Sequence, residues 1–284
     1  MKKWIKILLG SRLALIVLLA GVVVFFNYKI NHGIATYETA PHEVTIPDDQ
    51  VAILLFSKTT GFRHTESIER SKPALAQLAR DNGWFLYETE DAGIFNTEQL
   101  PRFEAVIYNN STGRCLTDEQ RNLVEQYVAN GGSLLGIHGS GDFSHPEWDW
   151  HTNQFIGASF SHHPIENHLQ TTSIRLETGA DSLLTRALPA AWEHNEEWYV
   201  FFDNPRDRGF DILMTIDGEQ IDPNGNMLWI QDKDFGMGSD HPVAWSRHLN
   251  QGKVFYTSLG HTGEVWSDKE FLQLLTNALQ WATQ

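Results

Sequence analysis

The 284-residue sequence predicts an α/β protein with a doubly wound, mostly parallel sheet and extra antiparallel strands, preceded by one N-terminal transmembrane helix. Two observations predict this fold class. Between residues 51 and 137, short apolar runs typical of buried strands alternate with helix-like segments, as in a parallel sheet covered by helices on both faces. Before them, residues 7–26 are mostly apolar, and about 20 residues at 1.5 Å each cross a hydrocarbon layer of roughly 30 Å.

The N-terminal segment also predicts where the protein resides. Three lysines and one arginine lie within the first 12 residues, so the positive-inside bias places the N-terminus in the cytoplasm and the rest of the chain outside. A cleavable signal peptide is the alternative, with Gly33 and Ala35 as a weak cleavage site. We therefore expect an anchor or signal segment at residues 1–28, a polar linker at 29–50 and one domain at 51–284. The domain is expected to be membrane-anchored on the extracytoplasmic (periplasmic or extracellular) side.

Charge and cysteine content limit the partners and the source of stability. The net charge is −15, and the first 26 residues carry four positive and no negative side chains, which leaves −19 for the exported part. Such a surface repels phosphate backbones, so we expect no nucleic-acid partner. Cys115 is the only cysteine. An internal disulfide is excluded, and the hydrophobic core must supply the stability.

The first half of the domain predicts four strands and two helices. The strands are expected at residues 51–57, 84–89, 105–109 and 134–137. A helix at 71–82 has Pro73 near its start and is followed by Gly83. Thr117 to Gln120 form a capping box that opens a second helix, which ends at Gly131. Strands and helices therefore alternate along this half.

The second half predicts mainly strands. They are expected at residues 171–177, 197–202, 210–216, 243–246 and 253–258. These strands either extend the sheet in antiparallel fashion or form a lobe over the carboxyl ends of the parallel strands. A second capping box, from Ser267 to Glu270, predicts a final helix after them.

Three histidines indicate a functional site. His64, His138 and His261 each follow a strand-like apolar run and each lie close to a glycine, which lets the backbone turn sharply and approach a ligand. In an open α/β sheet, ligands bind beyond the carboxyl ends of the strands. We therefore expect the three imidazoles to converge in one cavity at this edge of the sheet.

The segment Gly136-Ile-His138-Gly-Ser140 has the spacing of a nucleophile elbow, a tight strand-to-helix turn that exposes one side chain. A histidine stands where a serine or cysteine nucleophile is expected. Imidazole binds metals and moves protons, so we predict one of these roles for His138 and no covalent catalysis. The alternative is a histidine whose nitrogens only bond the backbone of a buried turn.

Further polar residues lie near these motifs in the sequence. Imidazole and carboxylate are the usual ligands of zinc, and no pair here has the i, i+4 spacing of a helical zinc motif, so loops must assemble any metal site. A divalent metal, with zinc as the first choice, is expected on His64, His138, His163, His241 and His261. The predicted catalytic residues are Glu197, Asp142 and His138. We expect Glu197 to be the general base, because the neighbouring apolar Trp198 and Tyr199 would raise its pKa.

Aromatic residues beside these polar motifs suit sugar binding, because a pyranose has apolar C–H faces and hydroxyl edges. The predicted substrate contacts are Asn110, Trp198, Tyr199, Trp245 and Asp240. Aromatic residues of such folds are also common in the core, and that alternative stays open.

Taken together, the order of motifs resembles the ThuA-like (trehalose utilisation) family. The resemblance covers residues 51–283 and rests on eight segments that occur in order. They include Phe56-Ser-Lys-Thr-Thr-Gly-Phe-Arg-His64, Asn110-Ser-Thr-Gly113, Gly136-Ile-His138, His163-Pro164, Glu197-Trp-Tyr199, Asp240-His-Pro-Val-Ala-Trp245 and Gly260-His261. It implies a flavodoxin-like fold similar to class I glutamine amidotransferases and a role in carbohydrate metabolism, alongside enzymes that handle 3-keto-glycosides. Because His138 replaces the amidotransferase cysteine, glutaminase activity is not implied.

The leading functional hypothesis is an exported, membrane-tethered hydrolase or lyase with a His-rich, metal-bearing site. Its partners would be a sugar or 3-keto-glycoside substrate and the membrane, through the N-terminal helix. The alternative is a non-catalytic carbohydrate-binding module that kept the fold and the pocket. A third hypothesis is a structural domain whose histidines are ordinary turn residues.

Overall fold

The computed structural model describes residues 2–41, 43–145, 147–228 and 230–284. The chain begins with helix α1 (Lys2–His32), and three further helices follow in the domain: α2 (Thr65–Asn82), α3 (Asp118–Ala129) and α4 (Lys269–Ala282). Within α1, the 24 residues Ile7–Ile30 are long and apolar enough to cross a membrane, and none of the most apolar part of this stretch is buried inside the protein.

Nine strands form one sheet, and two form a separate antiparallel ribbon of β5 (Phe160–His162) and β8 (Val200–Phe201), in the part of the chain that the structure describes. The strands of the sheet are β1 (Ala52–Phe56), β2 (Phe85–Thr89), β3 (Ala105–Asn109), β4 (Ser133–Ile137), β6 (Gln170–Leu176), β7 (Ala191–Glu196), β9 (Asp211–Ile216), β10 (His241–Leu249) and β11 (Gly252–Thr257). Their order is β2-β1-β3-β4-β11-β10-β9-β6-β7.

The first five strands in this order are parallel and carry the flavodoxin-like arrangement. Strands β2-β1-β3-β4-β11 pair in parallel throughout, which is the 2-1-3-4-5 order of that fold with β11 in the fifth place. The order reverses between β1 and β3, where ligands of such sheets bind. The predicted α/β fold class is therefore confirmed.

The other four strands extend the sheet. β10 pairs antiparallel with β11, and β9, β6 and β7 follow in alternating directions. Of the two arrangements expected for this half, the extension is the one observed for these strands. Because the directions alternate, β7 and β9 end at the same edge of the sheet as the parallel strands, which we call the carboxyl edge.

Both faces of the sheet are buried, as expected for a doubly wound fold. Leu54 and Phe56 of β1 pack on the face covered by α3, whereas Ile53 and Leu55 pack on the face covered by α2 and α4. Successive residues of a strand point to opposite faces, so the continuous apolar run of β1 fills both cores. Those cores fix the strand ends that carry the site.

Residues 33–46, which we call the strap, follow α1 and fall in the segment predicted to be a linker. Its described residues form neither helix nor strand but are bonded to the domain. Ile34 N donates to Thr60 O at 3.1 Å, the Lys58 ammonium donates to Thr36 O at 2.5 Å and forms an ion pair with Glu38, and Val44 packs against the core. The segment is therefore attached to the domain along much of its length.

Two helix starts differ from the sequence-based expectation. Helix α2 begins at Thr65 rather than residue 71, because its first two turns bury Ser67 and Ser71, whose hydroxyls bond Gly260 O and Ile68 O. The capping box predicted for α4 is wrong by one residue. Asp268, not Ser267, accepts from the Phe271 amide. The capping box at Thr117 is confirmed.

Candidate metal-binding site

The three histidines predicted to converge lie together at the carboxyl edge. The ring centroid of His64 is 4.8 Å from that of His138 and 5.2 Å from that of His261, and the last two are 5.0 Å apart. Each follows a parallel strand, respectively β1, β4 and β11, so the fold itself collects them. The predicted convergence of the three rings at this edge is confirmed.

Glu197 completes the group. One ligand atom from each of His64, His138, His261 and Glu197 lies within 4.8 Å of the others, and we call these four residues the site cluster. Three of the four are buried, and His261 is partly exposed, so the cluster opens to solvent on its side. A divalent metal is therefore one species that these residues could hold.

The distances among three of the ligand atoms are those of a preformed coordination face. His138 Nε2 lies 3.1 Å from His261 Nδ1 and 3.6 Å from Glu197 Oε1, and the last two atoms are 3.3 Å apart. A tetrahedral site with zinc–ligand bonds near 2.0–2.1 Å has ligand-to-ligand edges of about 3.3 Å. Two histidines and one carboxylate are also a ligand set that catalytic zinc sites use.

The backbone fixes the tautomer of His138. Its Nδ1 lies 2.7 Å from the carbonyl oxygen of Ser258, which can only accept a hydrogen bond, so Nδ1 carries the proton. In the neutral ring, Nε2 then offers its lone pair to the other members of the cluster. A metal-binding histidine is commonly oriented by such a bond from its other nitrogen.

His64 is held against the turn that carries His138. Its Nδ1 is buried and has no hydrogen-bond partner, which is the state of an atom that a ligand would satisfy. A Cβ at Gly139 would lie only 2.9 Å from that nitrogen and 3.1 Å from Asn110 Oδ1. Glycine is therefore required there to let His64 approach the turn.

The charges of the site cluster are coupled. Burial alone lowers the pKa of His138, but Glu197 and Glu196 outweigh it and raise the pKa above its ordinary value. Burial and the positive charge of His138 lower the pKa of His261 to about 4, and they lower that of His64 well below its usual range. The cluster thus favours a single positive charge, because a second imidazolium would face the first.

Glu197 differs from its predicted electrostatics. Its apolar neighbours predict a raised pKa, and burial does raise it, but the hydrogen bond and charge of His138 outweigh burial and lower the pKa below its ordinary value. Its second oxygen, Oε2, lies 3.3 Å from His163 Nδ1. Glu197 is therefore an ionised carboxylate shared between the cluster and His163.

Two residues that sequence reasoning did not assign support the cluster from behind. Glu196 is fully buried and accepts from the amides of Gly260 at 2.8 Å and His261 at 3.2 Å. His194 lies 3.7 Å from Glu196 and 3.5 Å from Asp268. The adjacent acidic pair in the sequence was the available signal for Glu196.

Asn110 and Tyr199, predicted as substrate contacts, serve the architecture of the site. Asn110 is fully buried, and its side chain accepts from Gly139 N at 3.0 Å and donates to Ser67 Oγ at 3.1 Å. The Tyr199 ring packs 4.2 Å from the His138 ring. Both residues hold the His138 turn in place.

The other predicted site residues lie outside the site cluster. His241 Nε2 bonds the carbonyl oxygen of Tyr199 at 2.9 Å, so His241 supports the backbone instead of joining the ligand group. Trp198 and Trp245 are fully buried, and their indole nitrogens donate to Gln170 O and Ile156 O, which makes them core residues.

The two aspartates are also placed apart from the cluster. Asp240 lies on the surface, where it pairs with Arg206 at 3.0 Å. Asp142 is buried next to Ser144, whose amide donates to it at 2.8 Å, and burial raises its pKa to about 6.

A cleft of about 540 Å³ lies at the opposite edge of the sheet, lined by Leu100, Tyr127 and Gln284 among others. None of the described residues that line it is a histidine. The concentration of titratable groups therefore distinguishes the carboxyl edge as the candidate site.

Fold and site together define a flavodoxin-like α/β domain with a histidine–carboxylate cluster at the carboxyl edge. The model of the ThuA family, described as trehalose utilisation, matches residues 52–282. The chain belongs to this family.

Solved structures agree with the fold. A ThuA-like protein from Bacteroides uniformis is 22% identical with a TM-score of 0.67, over 87% of this chain and 94% of that one. A ThuA-like protein from Parabacteroides merdae is 17% identical with a TM-score of 0.62, over 83% and 91%. A cytoplasmic protein from Salmonella typhimurium is 12% identical with a TM-score of 0.54, over 82% and 100%. No curated protein matches.

Proposed function

We propose that this protein is a membrane-anchored, extracytoplasmic enzyme of carbohydrate metabolism, a hydrolase or lyase that acts on a sugar or a 3-keto-glycoside. The observation that carries the proposal is the preformed face of His138 Nε2, His261 Nδ1 and Glu197 Oε1, with edges of 3.1 to 3.6 Å. Membership of a family described as trehalose utilisation supports the substrate class. The apolar helix α1 supports the anchor.

The site cluster fits a divalent cation, with zinc as the first candidate. The cluster favours one positive charge, which a cation supplies, and the buried Nδ1 of His64 has no other partner. A cation bound there would polarise a substrate carbonyl or lower the pKa of a water molecule. Binding would release the Nε2 proton of the His138 imidazolium, because a ligand nitrogen must be deprotonated.

His163 is the proposed general base. Its Nδ1 lies 2.9 Å from Pro164 O and 3.3 Å from Glu197 Oε2, and both atoms are acceptors, so Nδ1 carries the proton of the neutral ring. Nε2 is then free to take a proton, and about a third of the side chain is exposed. Glu197 would orient this imidazole through Oε2 while its Oε1 faces the cluster.

Elemental analysis of the purified full-length protein tests the proposal. The wild type should retain one equivalent of metal, and zinc binding should weaken in His138→Ala and in the more exposed His261→Ala. Loss of a residue that only hydrogen-bonds a ligand commonly costs about 10- to 100-fold in metal affinity, so removal of a ligand itself should cost more. His248→Ala, which changes an exposed histidine at the opposite edge, should bind zinc like the wild type.

Glu197→Gln separates the roles of the carboxylate. Loss of metal in this variant would place Glu197 among the ligands, whereas retained metal with a turnover reduced by about 10²- to 10⁴-fold would fit its role in orienting the His163 base. A wild type that binds sugar but no metal would contradict the metal site and favour the carbohydrate-binding module.

A further inference from the structure

The end of the apolar helix contacts the loops that carry the site. Residue Gly33 has a φ of +71°, and a Cβ there would lie 2.5 Å from Thr60 Oγ1 and 3.0 Å from Gly113 Cα. Ile34 N also bonds Thr60 O. Residues 59–62 lead from β1 to His64, and residues 111–114 follow Asn110 after β3. The helix therefore ends in a notch at the carboxyl edge, beside the reversal point of the sheet.

The short distance along the chain sets the height of this edge above a membrane. The apolar stretch ends at Ile30, helix α1 ends at His32, and Gly33 follows directly. Three residues rise about 5 Å. Because the headgroup region adds roughly 5–8 Å on each side of the hydrocarbon, Gly33 and the loops packed on it fall at headgroup level.

Exposed apolar side chains lie on the same edge. In the domain, the large apolar side chains that are exposed among the described residues are Phe62, Phe143, Ile165, Phe202, Met227 and Leu228. Phe62, Phe143, Met227 and Leu228 belong to loops that follow β1, β4 and β9 at the carboxyl edge. Ile165 and Phe202 contact the loop after β9, where Ile165 N donates to Asn224 O and the Phe202 ring packs on Phe235. A soluble surface rarely gathers such side chains on one side unless they contact a membrane or a partner.

We infer that the carboxyl edge rests on the membrane surface and that the site takes saccharides carried on membrane lipids. The inference rests on the proposed function and names its substrate class. Phe62 links the two features, since its exposed ring lies 4.9 Å from the His64 ring and its loop packs against the helix end. A substrate that reaches His64 past Phe62 therefore approaches from the side of the bilayer.

The contact is apolar rather than electrostatic. The exported part carries a net charge of −19, which would repel an anionic lipid surface. Insertion of aromatic and aliphatic side chains at the interface needs no such attraction. The membrane contact should therefore persist at high salt, where surface charges are screened.

Fluorescence quenching in nanodiscs tests the orientation. The full-length protein would carry a fluorophore at Phe62→Cys, at Leu228→Cys or, as the matched control, at Gln251→Cys in the exposed β10–β11 turn at the opposite edge. Unmodified protein measures background labelling of the buried Cys115. With nitroxide-labelled phosphatidylcholine in the disc, the first two positions should lose most of their fluorescence and Gln251→Cys should not.

Other quenching patterns would overturn the inference. Equal quenching at all three positions, or none at Phe62→Cys and Leu228→Cys, contradicts a membrane-facing edge. In detergent, the fluorophores at Phe62→Cys and Leu228→Cys could instead be shielded from solvent to an extent that rises with the fraction of dimer, measured by mass. That result would mean that the apolar loops contact a second copy of the chain.

A protection experiment tests the substrate class. Diethyl pyrocarbonate modification of His261, which is 22% exposed, would be measured by peptide mass spectrometry. Glucosyl or galactosyl diacylglycerol in the disc should protect His261, and the corresponding methyl glycosides at equal bulk concentration should not. Equal protection by the methyl glycosides would overturn the lipid-borne substrate. Protection by neither would overturn sugar binding itself, while the quenching pattern still decides the orientation.

Discussion

Two adjacent carboxylates at the end of β7 have different surroundings. The Glu196 carboxylate accepts the amides of Gly260 and His261, whereas Glu197 Oε1 faces the ring nitrogens of His138 and His261. Both therefore act on His261, one through its backbone and one through its ring. Burial of two carboxylates in one place is tolerated because each has compensating donors or positive charge.

His194 supplies part of that positive charge and should make stability depend on pH. Burial alone lowers its pKa, but the ion pairs with Asp268 and Glu196 outweigh it and raise the pKa from 6.5 to about 9. The folded state thus binds an extra proton between these values, so the stabilisation is complete below pH 6.5 and is lost as the pH rises through 9. It amounts to about 3 kcal/mol.

Urea unfolding of the full-length protein in detergent would measure this effect. The free energy of unfolding should fall between pH 6.5 and 9 in the wild type, and the fall should be smaller by about 3 kcal/mol in His194→Gln, which has no charge to lose. An identical decrease in both proteins would show that His194 is not charged at neutral pH.

The three site histidines were predictable because each ends a buried strand, and a parallel sheet brings such ends together. His194 and Glu196 were not predictable in the same way. They lie on β7, an edge strand whose buried positions are occupied by these two polar residues, so the strand lacks apolar alternation. The run from Glu197 to Tyr199 was assigned to a strand instead, although it is a buried connection after β7.

At the scale of elements, two serine/threonine positions offer a paired test of helix capping. Both were predicted to cap a helix, and the structure assigns that role to Thr117 and not to Ser267. Thr117→Ala should lower the free energy of unfolding by about 1 kcal/mol. Ser267→Ala should change it by less than about 0.5 kcal/mol, as is usual for an exposed site without such a bond. Urea denaturation of the two variants checks the assignment, and equal losses would contradict it.

At the scale of the whole molecule, the strap connects the apolar helix α1 to the domain and is itself bonded to the domain. The Lys58 ammonium donates to Thr36 O and pairs with Glu38, whose carboxylate also accepts from Ala92 N at 3.1 Å. Lys58 is buried on the domain side. Lys58 therefore holds the middle of the strap together with Gln120, whose Nε2 donates to Glu38 O at 2.8 Å.

Lys58→Met should loosen the strap without altering its sequence. Chymotrypsin should then cut after Tyr37 faster than in the wild type, because the neighbouring Thr36 O loses its bond to the domain. Lys72→Met removes a lysine that pairs with Glu88 at 2.9 Å on the domain surface and serves as the control. Peptide mass spectrometry of the digests gives the rates. Unchanged cleavage in Lys58→Met would show that other contacts hold the strap.

The backbone of the site has an evolutionary consequence. Asn110 and His138 adopt φ values of +52° and +42°, which glycine tolerates best, and such conformations cost on the order of 1–3 kcal/mol each. At position 110 the asparagine side chain offsets this cost through its bonds to Gly139 N and Ser67 Oγ. At position 138 glycine would relieve the backbone strain but remove the imidazole from the site cluster. In a gene copy freed from selection on the site, glycine at position 138 would therefore be tolerated, and its presence there would show that the cluster has been lost.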